Sequence, residues 1–139
     1  MELECAVTAP PVTYRVREWP DLPALGGLRS LAWGGADDGS RWAAVLTRSL
    51  IWVTAHDGAR LVGFVNVAWD GGAHAFLLDT TVRPDWQRRG VGTRLVQEAI
   101  RATRAHVEVE WLHVDFEAHL TAFYAACGFT GTSAGLLRL

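Results

Sequence analysis

Gln87-Arg88-Arg89-Gly90-Val91-Gly92 is the stretch of this sequence with the composition and spacing to hold an anion. Glycines at 90 and 92 lack the side chains that would keep a ligand off the backbone. They fall where an amphipathic helix begins, and the first turn of a helix leaves several amide N–H groups without intrahelical partners. Those amides, with the helix dipole behind them and Gln87, Arg88 and Arg89 beside them, suit a pyrophosphate. A glycine pair also serves as an ordinary strand-to-helix turn with solvated arginines, so the pattern takes its meaning from its surroundings.

The rest of the composition narrows those surroundings. At 139 residues the chain is sized for one domain with one core, and half of it is hydrophobic, with seven tryptophans to fill that core. A net charge of -2 gives no broad attraction to nucleic acid or an anionic membrane, so any anion must be bound locally. Every basic residue is arginine, which removes phosphate loops that depend on a lysine. No apolar run reaches the length of a membrane span, and the acidic start Met1-Glu2-Leu3-Glu4-Cys5 lacks the regions of a secretory signal, so a cytoplasmic location is expected. Cys5 and Cys127 stand far apart with no Cys/His cluster near them; reduced thiols and no metal site are expected.

The elements that must position the segment follow from periodicity. Residues 1–11 end in Pro10-Pro11 and read as a tail; residues 12–139 read as the folded domain. Residues 12–18 alternate as a strand would. A short or broken helix follows over 22–33, weakened by Gly26 and Gly27, then an acidic glycine-rich loop, then a second helix from Ser40 to Leu46. Residues 49–56, 60–69 and 74–82, separated by Asp57-Gly58 and Asp70-Gly71-Gly72, form an antiparallel meander. After Pro84 the pattern becomes helical over 93–105, with Leu95, Val96, Ala99, Ile100 and Thr103 on one face. A strand over 108–116, a helix over 119–129 with Gly128 as its stop, and a last strand over 132–139 complete the order. A dinucleotide-binding fold does not fit, because no GxGxxG occurs and the strands before Gln87 are joined by hairpins.

With that context, QRRGVG resembles the Q/R-x-x-G-x-G/A signature of the GNAT superfamily of N-acetyltransferases. The preceding LLDTTVRPDW resembles that family's fourth strand and turn, and AFYAACGF resembles its F-Y-x-x-x-G-F segment. The element order agrees over about residues 12–139, and the residue-level match lies within roughly 76–129. The resemblance implies an α/β (α+β) domain with a mixed, mostly antiparallel sheet of about six to seven strands and helices on both faces. It also implies a reaction: direct attack of a primary amine, on a small molecule, peptide or protein, upon the thioester of acetyl-CoA in a ternary complex.

The resemblance carries over residue by residue. The backbone amides of Arg88, Arg89, Gly90, Val91, Gly92 and Thr93, with Gln87, would hold the coenzyme A pyrophosphate. Thr81 and Val82 would pair with the pantetheine arm, and an N–H near Val82 would stabilise the oxyanion. Tyr124 matches the tyrosine that gives a proton to the leaving thiolate; packing of an apolar helix face is its other reading. Asp79 stands where many relatives carry an acidic residue and is the candidate base, with His74, His113, Asp115 and a water chain as alternatives. Glu117 replaces the asparagine with which many relatives hold the acyl-CoA arm.

For the acceptor, the corresponding region includes Trp33, Asp37, Asp38, Trp42 and Phe116, where aspartates would attract a cationic amine and tryptophans line its apolar part; a solvated loop beside core tryptophans is the other reading. A non-catalytic acyl-CoA sensor is the competing function, since QRRGVG fits both. Exposed strand edges and an apolar final strand suggest a homodimer.

Overall fold

The computed structural model describes residues 11–139. Its elements run β1 (Thr13–Val16), α1 (Leu22–Trp33), α2 (Trp42–Arg48), β2 (Ser49–Asp57), β3 (Arg60–Trp69), β4 (His74–Val82), α3 (Val91–Arg104), β5 (Trp111–His113) and α4 (Thr121–Ala126), with single 3-10 turns at Pro84–Trp86 and Ala118–Leu120. One sheet of order β1-β2-β3-β4-β5 results, antiparallel except for the β4–β5 pair. The two turns of the meander explain the register. Gly58 takes the left-handed backbone (φ 58) that lets Asp57 face Arg60, and Asp70 Oδ1 accepts from the Gly72 and His74 amides at 2.7 and 3.3 Å.

Because strand side chains alternate, the sheet buries a different set on each face. Ile51, Val53, Ala55, Val62, Val65, Val67, Ala75 and Leu77 pack with Val91, Leu95, Val96 and Ala99 of α3 and with Tyr124 of α4. On the other face Trp52, Leu61 and Phe64 meet Leu25 and Leu28 of α1 and Trp42 and Leu46 of α2. Helices therefore cover both faces, and α3 presents the apolar stripe its sequence predicts, with Ile100 at its half-buried margin.

Helix α1 differs from the sequence expectation. It runs unbroken from an Asp21 cap, whose Oδ1 accepts from the Ala24 amide at 2.9 Å, to Gly34. Gly26 is where the loop 37–39 lies against the helix backbone: a β-carbon there would stand 2.4 Å from Gly39 N. The glycine serves packing, not a break.

Among the described residues the sheet has five strands where about six to seven are expected. The strand expected over 108–116 is paired only at Trp111–His113, and the expected strand over 132–139 does not form. The last backbone anchor is the Phe129 amide, donating to Tyr124 O at 3.1 Å, and Leu136, Leu137 and Leu139 are exposed. A strand needs a neighbouring row of free N–H and C=O groups. With three residues, β5 supplies too short a row. Residues 1–10 of the expected tail, with Cys5, lie outside the described residues.

Candidate functional site

The β4–β5 ladder starts at His74↔Trp111 and stops at Phe76↔His113, whereas β4 continues to Val82. Among the described residues, no strand lies beside that edge of β4 from Leu77 onward. The divergence opens a cleft of about 1170 Å³ between β4 and the β5–α4 segment, lined by Leu78 to Val82 on one side and by Val114 to Glu117, Phe123 and Tyr124 on the other. Within β4, Phe64 faces Thr81 but Asn66 faces Leu78, so Asp79 and Thr80 together oppose Val65. This is a β-bulge, and Asp79 takes a left-handed backbone (φ 61), uncommon for a residue with a side chain.

The N-terminus of α3 closes one end. Gly90 is its cap (φ 80), and the first amide with an intrahelical partner is that of Arg94, which donates to Gly90 O at 3.1 Å. The amides of Val91, Gly92 and Thr93 are therefore left at the helix mouth. Gln87, Arg88, Gly90, Gly92 and Thr93 line the cleft, and a β-carbon at Gly90 would meet only open space. Such a cradle fits an extended pyrophosphate. Arg88 adds a guanidinium from a left-handed backbone position (φ 63). Arg89 does not line the cleft; its guanidinium lies over the Trp86 ring at 4.8 Å. Val91 is buried in the core and offers only backbone.

Tyr124 lines the same cleft. Its ring is packed by Phe116 (4.7 Å between centroids, stacked), Phe123 (4.9 Å) and Phe129 (5.8 Å), and its Oη donates to Thr80 Oγ1 at 3.5 Å. Burial pushes the phenol above its ordinary pKa, which keeps the proton on the oxygen. Glu117 lies on the same wall, 3.4 Å from His119 Nδ1, and His119 also lines the cleft.

At the other end a second cavity, of about 520 Å³, opens under the α1–α2 loop, and Arg29 and Trp33 line both spaces. Asp37 borders this cavity, yet its carboxylate already accepts from the Gly39 amide at 2.9 Å, Trp42 Nε1 at 3.0 Å and Arg41 Nε at 3.3 Å. Burial raises its pKa, but these three bonds outweigh that and hold it below the usual carboxylate value. Asp38 is exposed, and the Ser40 bonds to it lower its pKa. Trp42 is corrected outright. At 1 % exposure it is a core residue, edge-on to Phe64 at 5.4 Å, because α2 turns its apolar face onto β3.

The structure thus gathers Asp79, Thr81, Val82, Gln87, Arg88, Gly90, Gly92, Thr93, Phe116, Glu117, Tyr124 and Trp33 around one cleft. Among the alternative bases, Asp115 lines it too. His74 and His113 do not: their rings meet each other, Nδ1 to Nε2 at 2.7 Å, where β4 and β5 are still paired. Sequence reading missed Arg29 and Thr80. Arg29 is one arginine among thirteen with no local motif, and its contact with Thr81 spans 52 residues of chain.

A family model described as the acetyltransferase (GNAT) family matches residues 15–129. A GNAT family acetyltransferase from Streptococcus pneumoniae superposes with a TM-score of 0.78 at 24 % identity, over 93 % of this chain and 98 % of that one. An aminoglycoside N-acetyltransferase solved in complex with CoA superposes with a TM-score of 0.71 at 19 % identity, over 96 % of this chain and 98 % of that one. These two likenesses are of fold. By sequence, the chain is 31 % identical over 70 residues to a Porphyra purpurea protein named uncharacterized N-acetyltransferase ycf52, a match of 50 % of this chain and 40 % of that protein. The chain covers less than half the length of the curated relatives it matches.

Proposed function

Because the chain belongs to the GNAT family of acetyltransferases, we propose that it transfers an acetyl group from acetyl-CoA to a primary amine of a small molecule, peptide or protein, by direct attack in a ternary complex. The observation that carries this reading is the buried Tyr124 hydroxyl lying in the same cleft as the α3 amides and the unpaired edge of β4. A module that only bound the cosubstrate would need the cradle and the edge, but no proton donor between them.

Bound acetyl-CoA supplies an activated acyl carbon. The chain's own groups supply the rest. The amides of Gly90 to Thr93, with Gln87 and Arg88, hold the pyrophosphate, while the free edge of β4 offers N–H and C=O groups to the amides of the pantetheine arm. Amides of the bulge, from Thr80 to Val82, stabilise the negative charge that develops on the carbonyl oxygen. As the C–N bond forms and the C–S bond breaks, the amine's proton passes to Asp79, directly or through water, and Tyr124 gives its proton to the departing sulfur. Trp33 and Phe116 flank the route by which the amine arrives.

Thiol release from acetyl-CoA across polyamines, aminoglycosides, amino acids and peptide N-termini tests this. Release with one class names the acceptor. Calorimetric binding of coenzyme A with no release by any amine would replace the enzyme by an acyl-CoA sensor.

A further inference from the structure

The bulge of β4 does not hold its shape alone. Thr81, 1 % exposed, donates its hydroxyl proton to Asp79 O at 2.8 Å, which caps the left-handed residue. The same oxygen accepts from Arg29 Nη1 at 3.3 Å and from Trp33 Nε1 at 3.2 Å, both on α1. A hydroxyl has one proton and two lone pairs, so this one is saturated. Arg29 also places Nη2 3.7 Å from Asp79 Oδ1, its guanidinium lies over the rings of Trp33 (5.3 Å) and Trp42 (5.6 Å), and its Nε is buried without a partner. Burial lowers its pKa. A guanidinium held at that cost between two indoles and one threonine is more than a solvated helix charge.

We propose that Arg29 is a positioning residue for acetyl transfer: acting through Thr81, it fixes the bulge whose amides face the reacting carbonyl, and so ties α1, which walls the acceptor cavity, to the thioester end of the cleft. The inference rests on the proposed transferase reading. The cradle on α3 meets β4 at Val82, where Gln87 Nε2 donates to Val82 O at 3.4 Å, and shares no hydrogen bond with Arg29 or with the Thr81 hydroxyl.

The test compares Arg29→Met, Thr81→Val, Thr81→Ser and the Arg29→Met/Thr81→Val double variant, with the amine that gives thiol release in the acceptor panel as nucleophile and enzyme-dependent thiol release as readout. Arg29→Met and Thr81→Val should each lower kcat by about tenfold to a hundredfold, the effect of a small misplacement of aligned donors. The KM for acetyl-CoA should stay within about threefold, and the double variant should be no worse than the worse single one, as for residues acting in one unit. Thr81→Ser, which keeps the hydroxyl, should restore most of the rate. An unchanged kcat with only a lowered Tm would overturn the proposal, as would losses that multiply in the double variant. Amide exchange at Asp79–Val82 reads the clamp without turnover: faster exchange in Arg29→Met supports it, and unchanged exchange refutes it. A wild-type protein that binds coenzyme A but never releases thiol would instead defeat the transferase reading and leave the exchange result to decide the clamp.

Discussion

Tyr124 is packed by three phenylalanines and bonded to one threonine hydroxyl, with Asp115 and Cys127 near enough to add to the rise in its pKa that burial begins. Burial raises its pKa, so as a donor it fails only at alkaline pH, above the ordinary phenol range. The stability effect has the same direction. A phenol whose folded pKa is raised costs stability only once the pH exceeds the unfolded value near about 10. We therefore expect any alkaline fall in kcat that reports this donor to lie above the ordinary phenol range, and Tyr124→Phe to lower kcat by about a hundredfold and abolish that fall. A limb that survives in Tyr124→Phe would exclude the role. Tyr124 was legible because its neighbours form a local segment, AFYAACGF. Trp42 and Arg29 were not: whether a helix side chain meets the sheet or the cleft depends on how the helix is laid down, which residues distant in sequence decide.

At the level of elements, the two glycines of α1 have opposite roles despite being adjacent. A β-carbon at Gly26 would lie 2.5 Å from Asp37 O and 2.4 Å from Gly39 N, both backbone; at Gly27 it would meet nothing within 4 Å. Gly27→Ala should raise stability by about 0.5–1 kcal/mol through helix propensity alone. Gly26→Ala should lower it by roughly 1–3 kcal/mol or more, since the loop must move off the helix. Urea denaturation of the two variants checks the pair, and shifts of the same sign would refute the contact. Sequence registers both residues only as poor helix formers. By contrast the meander and α3 were readable, because turn chemistry and periodicity act within a few residues. The length of β5 was not, since its end marks where a neighbouring strand departs, and nothing within Val114-Asp115-Phe116 says so.

Across the whole molecule, one core on each face of one sheet fits the order of elements found in the sequence, and no helix among the described residues is long and apolar enough to cross a membrane. The order of elements alone does not contain the gap beside β4; the family resemblance implies it, since a bulged fourth strand that splays from the fifth leaves room for the pantetheine arm. From Leu77 to Val82 the described residues supply no neighbouring strand, and under the proposed function the acetyl-CoA arm takes that place. The cosubstrate is then a load-carrying part of the folded protein as well as a reagent. A ligand bound only by the native state at about a hundred times its Kd adds about 2.7 kcal/mol, so melting should rise with coenzyme A in the logarithmic way that linkage requires. A Tm indifferent to coenzyme A would mean the gap is not filled. If it is filled, the acetyl-CoA level of a cell sets the lifetime of this chain against proteolysis along with its rate of turnover, and a starved cell would lose the protein as well as its product.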